Sequence, residues 1–364
     1  MSHWKLVKLN FGRNPVHFGR LGIGIEETIE RVYSDSLFSA WVSCYARLFG
    51  KNKVEELLKD FPKYLNQESS QVEEKDSIPL KISSTFIYRQ IEGKTIYYLP
   101  RPIKSPINYP QEDLKFLKTY KKIKYLPLEI WQRWYQGKGF SDKDGAELNE
   151  RVTDKEAEGE LKTAGTFDYS KAFKINKHPK INVDRITAAT NLYYTGLVQF
   201  QWEQETSGLY FLLNFSQVKS NLEKELEAAL NLLGEEGLGG ERSSGAGRFK
   251  VEWLELPATW NKIVKASGTH HTLISLFWDS SITEEFLQNA AYEIQECGGW
   301  IAQSNIRRQK VRMFAEGSVF SQQPQGKLVD VTPAELKTTD GEYKFHPIYR
   351  SGISLALPIK IKDT

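Results

Sequence analysis

The chain has 364 residues, of which 40% are hydrophobic and 12% aromatic, so it is long and apolar enough to bury two cores. Its 49 lysine and arginine residues nearly balance 46 acidic residues, and a net charge of +3 gives little reason by itself to expect a polyanion partner. A nucleic-acid surface would therefore require a local cluster of basic residues.

The cysteines and the lack of long apolar runs limit the kind of protein this can be. Cys44 and Cys297 lie far apart beside bulky apolar residues, which predicts buried free thiols and no disulfide framework. No cysteine pair has the spacing of zinc ligands, and we predict neither a metal nor another cofactor. Because no segment has a signal-peptide core or about 18 consecutive apolar residues, we expect a soluble cytoplasmic protein without membrane contact.

The first third of the chain alternates between strand and helix patterns. Residues 4–11 alternate apolar and polar side chains, which predicts a strand with one buried face. Ser34 and Asp35 carry oxygen acceptors of the kind that cap a helix, and the apolar residues that follow predict a helix ending at Gly50. Residues 78–100 predict two strands joined by a glycine turn.

The middle of the chain predicts an insertion followed by paired strands. Prolines open the insertion at 101–175, and the highly charged stretch 142–162 predicts a mobile loop or an insertion. Strands are predicted at 192–203 and 208–216.

A second amphipathic helix and a closing strand complete this part. Ser220 and Glu223 have the spacing of a capping box, and the apolar stripe that follows predicts a helix up to Gly234. After a glycine-rich loop, residues 249–256 predict a strand. This element order is that of a ferredoxin-like or RRM-like domain, so we predict an α+β fold whose first domain covers residues 1–257.

The rest of the chain, residues 258–364, predicts a second, strand-rich RRM-like domain. A strand at 272–278 precedes a short helix that opens near Thr283. Strand-like runs follow at 300–315 and 348–361.

A glycine-rich loop separates the second helix from the closing strand of the first domain. Six glycines occur between Gly234 and Gly247, together with Arg242, Arg248 and two serines. Glycine can adopt positive φ and bring amide groups close to a polyanion, while arginine and serine donate to phosphate, so the loop suits a phosphodiester backbone. A flexible connector is the alternative, although about four to six residues would suffice for one. The loop has no Gly-Lys-Ser/Thr end and follows a helix, which excludes a P-loop and a dinucleotide fingerprint.

This arrangement resembles the RAMP proteins of CRISPR systems, which have a glycine-rich loop between the last helix and last strand of a ferredoxin-like domain. Within that superfamily the chain resembles the subunit that binds the 5′ handle of CRISPR RNA (crRNA) in the type III-A (Csm) complex. Besides the glycine loop, the resemblance rests on five stretches in the same order: PVHFG at 15–19, YSDSLFSA at 33–40, VDRIT at 183–187, VRMFAEGSVF at 311–320 and HPIYRSG at 346–352. Residues 101–175 match poorly.

The resemblance implies two RRM-like domains and a non-catalytic role in crRNA binding. It implies contact with the large polymerase-cyclase subunit and a backbone RAMP subunit, only indirect contact with target RNA, and a protruding hairpin that separates handle from guide. The RNA-contacting residues expected are His17, Phe18, Gly19, Arg185, Gly237, Gly239, Gly240, Arg242, Ser243, Ser244, Gly245, Gly247, Arg248 and Arg312. A lower-ranked group, structural or RNA-contacting, comprises Ser34, Asp35, His346, Tyr349 and Arg350.

Several of these residues have a plain structural alternative. His17 could stack on a base or donate to phosphate, or could be a turn histidine bonded to the backbone. For Ser34 and Asp35 we favour helix capping, because that position explains both side chains. Arg185 suits phosphate, and a salt bridge with a neighbour such as Asp184 is the alternative.

An enzymatic reading competes with the binding role. A metal-independent RAMP endoribonuclease would use a histidine as general base on a 2′-hydroxyl, and His17 is the histidine placed in a suitable loop. The stretches at 34–40 and 317–320 resemble the handle-binding subunit instead. The equivalent subunit of the type III-B complex is the nearest alternative within the binding role.

Overall fold

The structure, a computed structural model, describes residues 3–19, 24–64, 78–110, 115–152, 158–216, 220–301 and 304–361. Its first elements are β1 (His3–Asn10), α1 (Ser34–Lys59), β2 (Lys63–Tyr64), β3 (Leu80–Ile82), β4 (Phe86–Ile91) and β5 (Lys94–Pro100). The predicted opening strand and the paired strands are present. The first helix breaks at the predicted residue, Gly50 (φ 81°, ψ 174°), and then continues to Lys59.

The insertion is helical, which corrects the predicted mobile loop at 142–162. It contains α2 (Leu117–Lys122), β6 (Tyr125–Pro127), α3 (Leu128–Tyr135), α4 (Asp142–Val152) and α5 (Glu160–Thr163). The few leucines of the charged stretch, Leu148 and Leu161, are fully buried. Asp144 is also buried, and it accepts hydrogen bonds from Arg133 Nη1 (2.9 Å) and Trp134 Nε1 (3.1 Å). Composition indicated disorder because the buried partners of these side chains lie outside the stretch.

The next segment forms a long hairpin and the remainder of the main sheet. Its elements are β7 (Phe173–Val183), β8 (Thr190–Phe200), β9 (Thr206–Phe215), α6 (Ser220–Glu236) and β10 (Lys250–Glu255). The closing strand is confirmed, and the strands predicted at 192–203 and 208–216 are present as β8 and β9, but β8 pairs with β7 and β9 pairs with strands of the main sheet. α6 begins at Ser220 as predicted and ends at Glu236, two residues beyond Gly234; the Ser220 side chain of the predicted capping box lies outside the described residues.

The main sheet has the strand order β10-β1-β9-β4-β5-β6, and β3 also pairs with β9. All of these pairings are antiparallel. α1 and α6 cover one face, where the Trp41 indole donates to the Leu226 carbonyl (2.8 Å) and packs edge-on against Phe211. Helix α3 lies over the other face, with Trp131 and Trp134 fully buried in the same cluster as Leu6 and Tyr210.

Residues beyond 257 form short elements in small sheets. These are α7 (Ala258–Val264), β11 (His270–Leu273), α8 (Glu284–Leu287), β12 (Ile294–Cys297), β13 (Val311–Phe314), β14 (Val319–Phe320), β15 (Leu328–Asp330), β16 (Tyr349–Ser351) and β17 (Ala356–Ile359). The short helix near Thr283 is confirmed, and the Thr283 hydroxyl caps it. The strands are shorter than the predicted runs at 300–315 and 348–361.

The two parts of the chain, before and after residue 257, are joined through backbone and core contacts. The Ser84 amide donates to the Ile274 carbonyl (2.8 Å), and β2 pairs in parallel with β15. Residues of both parts, such as Trp131 and Leu357, share one apolar cluster.

The capping role predicted for Ser34 and Asp35 is wrong. The helix N-cap is Tyr33, which provides no side-chain cap, and Asp35 Oδ1, inside the first turn, accepts the amide of the next residue, Ser36 (2.6 Å). Ser34 Oγ instead accepts the Leu276 amide (2.9 Å), and the buried Asp35 carboxylate pairs with Arg350. Both side chains bond to the C-terminal part of the chain, a partner that local sequence does not reveal.

Candidate functional site

Three segments that are distant in sequence meet at the glycine loop, residues 234–248. The N-terminal segment at 15–18 lies between the loop and the hairpin β7-β8. Val16 forms a bridge with Val198 of β8, and His17 forms one with Gly240 of the loop. The Gly247 amide donates to the Pro15 carbonyl (2.9 Å), so the loop is fixed to this segment at both of its ends.

The glycines of the loop allow close backbone packing. Gly239 and Gly247 have φ of 99° and 85°, and an added Cβ would lie 2.3 Å from the carbonyl oxygens of His17 and Leu238, respectively. Gly237 (φ 91°) is similarly confined, whereas Gly245 (φ 87°) has open space. The amides of Gly237, Gly240, Gly245 and Gly247 all donate to carbonyls of the protein itself. The loop is therefore a folded, hydrogen-bonded turn.

The side chains of the loop give it a basic outer surface. Arg242, Ser243 and Arg248 are exposed, and the two arginine side chains form no ion pair within the described part of the chain. Glu241 is paired with Lys180 of the hairpin, which lowers the pKa of this carboxyl through a hydrogen bond. Lys180 Nζ also donates to Ser244 Oγ (3.1 Å). The acid is thus neutralised, and the arginines remain available to an anion.

His17 and Phe18 are held inside this junction. The His17 Nδ1 donates to the Gly196 carbonyl (2.8 Å), which requires a proton on that nitrogen. Its ring is buried between Gly19 and Gly240, because a Cβ on either would lie within 3.4 Å of it. The Phe18 ring is in the apolar core, 6.2 Å from Phe11. The backbone of these residues positions the loop.

Arg185 lies at the tip of the hairpin, away from the glycine loop. The tip is fully exposed, and Ile186 beside it has 95% of its surface accessible. Asp184 Oδ1 accepts the amides of Ile186 and Thr187 (both 2.8 Å) and thereby shapes the turn. Arg185 itself has no ion pair among the residues that the structure describes.

The other candidate residues lie with the C-terminal part of the chain. Arg350 is buried and donates to Asp35 and to the Gly298 carbonyl. Tyr349 is partly buried, and His346 is exposed with its Nδ1 close to the Pro347 carbonyl. Arg312 is exposed on β13, opposite Glu296. The structure does not bring this group to the glycine loop.

Sequence reasoning missed the basic side chains of β7. Lys174, Lys177 and Lys180 occur in β7, and Lys177 pairs with Glu27 (2.7 Å). Arg13 was also missed; its guanidinium lies 4.2 Å from the ring centre of Trp202. Residues 173–183 form a strand-like run of basic and apolar side chains, and this pattern could have indicated the basic residues of β7.

The part of the chain that the structure describes has neither a metal-binding cluster nor a membrane-spanning helix. Within the described ranges, no three His, Cys, Asp or Glu side chains are grouped so that they could hold a metal ion. No helix in that part of the chain has the length and apolar character needed to cross a membrane.

The α+β fold is similar to that of chains in solved structures of type III CRISPR complexes. Over 97% of its length the chain resembles 99% of a chain in the crystal structure of the Csm3-Csm4 subcomplex of the type III-A CRISPR-Cas interference complex, at TM-score 0.55 and 22% identity. It also resembles a chain in the Csm1-Csm4 cassette in complex with pppApA, with full coverage of both chains, at TM-score 0.56 and 17% identity.

Sequence comparison finds relatives of the same kind. Residues 266–359 match the family described as the CRISPR Csm4 C-terminal domain. The chain is 27% identical to the "CRISPR system Cms protein Csm4" of Methanocaldococcus jannaschii, over 95% of each chain. It is 25% identical to the protein of the same description from Thermococcus onnurineus, over 91% of this chain and 92% of the relative. The predicted resemblance to a type III CRISPR subunit is confirmed, and the similar proteins are described as Csm4.

Proposed function

We propose that the chain is the non-catalytic subunit of a type III-A CRISPR interference complex that binds the 5′ handle of crRNA. In this role it contacts the large polymerase-cyclase subunit and a backbone RAMP subunit, and it contacts target RNA only indirectly. The similar structures supply the support for the partners, since their descriptions pair Csm4 with Csm3 and with Csm1.

The observation that carries the RNA-binding role is the basic outer surface of the glycine loop. Arg242 and Arg248 are exposed without an ion pair in the described chain, and Ser243 adds a hydroxyl between them. Arginine binds phosphate through several donors in one plane, and this requires no particular base. Because the loop is hydrogen-bonded to residues 15–18, these groups are held in place before RNA arrives, which reduces the entropy lost on binding.

The strand order supports a ferredoxin-like first domain. Along the chain, β1, β4, β9 and β10 are the strands that surround the two long helices, and their order in the sheet is β10-β1-β9-β4. This is the antiparallel arrangement of a split βαβ domain with the glycine loop before its last strand. The helical insertion and the hairpin β7-β8 both occur between β4 and β9, the second and third of these strands.

We assign the hairpin β7-β8 as the element that separates handle from guide. Each strand has 11 residues, and the outer half is exposed on both faces. One face carries apolar side chains, including Ile181 and Leu192, which are paired across the strands. Lys180, on the opposite face, is bonded to the glycine loop, so the outer half of the hairpin lies beside the proposed RNA site.

The position of His17 favours the non-catalytic role. A general base must reach the proton that it removes, whereas this ring is buried and its Nδ1 is bonded to a carbonyl. The endoribonuclease alternative predicts that the chain cuts a labelled CRISPR precursor without metal, and that His17→Ala abolishes this cutting.

A salt titration of RNA binding tests the proposed site. The double variant Arg242→Gln, Arg248→Gln is compared with Lys262→Gln, Lys265→Gln, which removes two exposed lysines of and beside α7. Binding of repeat-derived RNA is measured in filter assays. We expect weaker binding, and a salt slope reduced by about 0.7 for each arginine that contacts phosphate, only in the arginine variant. Equal affinities and slopes for both variants and the parent chain would remove the loop from the RNA site.

A further inference from the structure

An exposed tryptophan lies in the C-terminal part, in a loop that the proposed function leaves without a role. Trp300 follows β12 and has 55% of its surface accessible. It forms a bridge with Arg307, whose guanidinium lies 4.5 Å from the ring centre. One side of the indole is thus covered by a cation, and the remaining exposed area can accept a planar group. Such a pair is typical of surfaces on which nucleic-acid bases stack.

The segment after Trp300 is strongly basic. Arg307, Arg308, Lys310 and Arg312 occur within six residues. Lys310 is paired with Glu296 (2.9 Å), and both side chains are exposed to solvent, so this pair is weak. Arg312 is exposed and, like Arg307, has no ion pair within the described ranges. The surface around the indole therefore carries a net positive charge.

Arg308, below this surface, is a positive charge that is not bonded to the nearby carboxylate of Asp35. The charges of Arg350 and Asp35 are close enough to shift the pKa of Arg308. Burial is the main cause that lowers this pKa, and the positive charge of Arg350 is the second. Asp35 bonds to Arg350 and not to Arg308. The Nε atoms of both arginines are buried and have no hydrogen-bond partner in the part of the chain that the structure describes. The guanidinium groups of Arg308 and Arg350 thus have one nearby carboxylate, that of Asp35, for two positive charges. A bound anion would balance the second charge and accept a hydrogen bond.

We propose that Trp300 and the basic residues 307, 308, 310 and 312 form a second contact for single-stranded RNA. A base stacks on Trp300, and a neighbouring phosphate is bound by arginines of the segment. The inference rests on the proposed function, in which this chain binds RNA. The excess of positive charge favours RNA as the occupant, because only Lys310 of these cations is paired with an acid of the described chain, Glu296, and a polyanion neutralises the others.

The new contact is at the opposite end of α1 from the first site. Asp35 near the start of the helix pairs with Arg350, whereas Arg47 pairs with Glu236 in the first part of the glycine loop. Twelve residues of helix separate the two pairs, which corresponds to about 18 Å at a rise of 1.5 Å per residue. RNA that leaves the glycine loop would have to cover this distance to reach Trp300.

The test is binding of labelled repeat-derived RNA, extended into the guide, to the full chain and its variants. We expect Trp300→Ala to weaken binding by roughly 5- to 150-fold, the usual contribution of one stacked base, and Trp300→Phe to retain most of the affinity. The salt slope should stay unchanged in Trp300→Ala and fall by about 0.7 in Arg312→Gln. The control is Phe345→Ala, which removes an aromatic ring that is 75% exposed and should bind RNA as the parent does.

The outcomes separate this inference from the proposed function. Parental affinity in Trp300→Ala, together with weakened binding in Arg242→Gln, Arg248→Gln, overturns only the second contact. Parental RNA affinity in Trp300→Ala with lost capture of the large or backbone subunit assigns the surface to protein and also overturns it. If neither variant weakens binding, both proposals fail.

Discussion

The glycine loop and the N-terminal end of α1 both have arginines nearby. The arginines of the loop are exposed, whereas those at the helix are buried. Arg242 and Arg248 are exposed, with no ion pair in the described chain. Arg350 is buried and bonded to Asp35, and Arg31 is buried and bonded to Glu316 through two hydrogen bonds of 3.0 and 3.1 Å. Exposed arginines can bind a ligand, whereas these buried ones join the two parts of the chain.

The two regions should also differ in how well they tolerate substitutions. A buried charge without a partner is costly, so the α1 end should tolerate little change in its acids. The glycine loop depends on backbone packing, and its exposed side chains can change without loss of the fold. Three experiments test this contrast.

The largest expected effect is on the buried pair at α1. Asp35→Ala leaves Arg350 buried without its carboxylate, and we expect a loss of about 3–5 kcal/mol in the free energy of unfolding. Denaturant titration measures it. The matched control is Glu55→Ala, which removes an exposed ion pair with Lys51 (3.6 Å) from the same helix and should cost less than about 1 kcal/mol. Similar costs for the two variants would contradict the contrast between buried and exposed pairs.

The second effect compares two glycines of the loop. Gly245 and Gly247 have nearly equal φ, 87° and 85°, so alanine is strained to the same extent at both. Only at Gly247 would the new Cβ meet a backbone oxygen, Leu238 O at 2.3 Å. We expect Gly245→Ala to cost about 1–2 kcal/mol and Gly247→Ala at least about 2 kcal/mol more. Unfolding midpoints provide the measurement, and equal shifts would show that the loop relaxes without cost.

The smallest effect is a pH dependence at the contact between the loop and the hairpin. The hydrogen bond from Lys180 lowers the pKa of Glu241 below its ordinary 4.5. A lowered folded-state pKa means that this contact stabilises the protein above pH 4.5, and that the stabilisation is lost as the pH falls through the folded-state pKa. An NMR titration of the Glu241 carboxyl should show a midpoint below 4.5.

Variants check the same contact by stability. Glu241→Gln should reduce the dependence of unfolding free energy on pH in the acid range, whereas Glu235→Gln, a neighbouring exposed acid, should leave it unchanged. A midpoint at or above 4.5 for Glu241 would mean that the ion pair does not form in solution.

Local patterns predicted the elements that depend on local side chains. The alternation at 4–11, the glycine turn at 92–94 and the apolar stripe after Ser220 each matched an element of the structure. Periodicity works there because one face of each element lies against the same core. The resemblance to a type III CRISPR subunit rested on ordered stretches, and comparison with known proteins confirmed that resemblance.

Predictions failed where the deciding partner is far away in the chain. Asp35 looked like a cap because its partner, Arg350, is 315 residues away. The charged stretch 142–162 looked mobile because the residues that pair with Asp144 and cover Leu161 belong to other helices. Short-range patterns contain no information on such contacts.

The sequence by itself determined the α+β class, the order of the main strands and helices, and a basic glycine-rich loop before a strand. Tertiary structure decided that the glycines pack against residues 15–18, that Arg242 and Arg248 stay exposed, and that Arg350 does not. The reason is physical: glycine content and charge are properties of the chain, whereas burial and pairing arise only when distant segments meet.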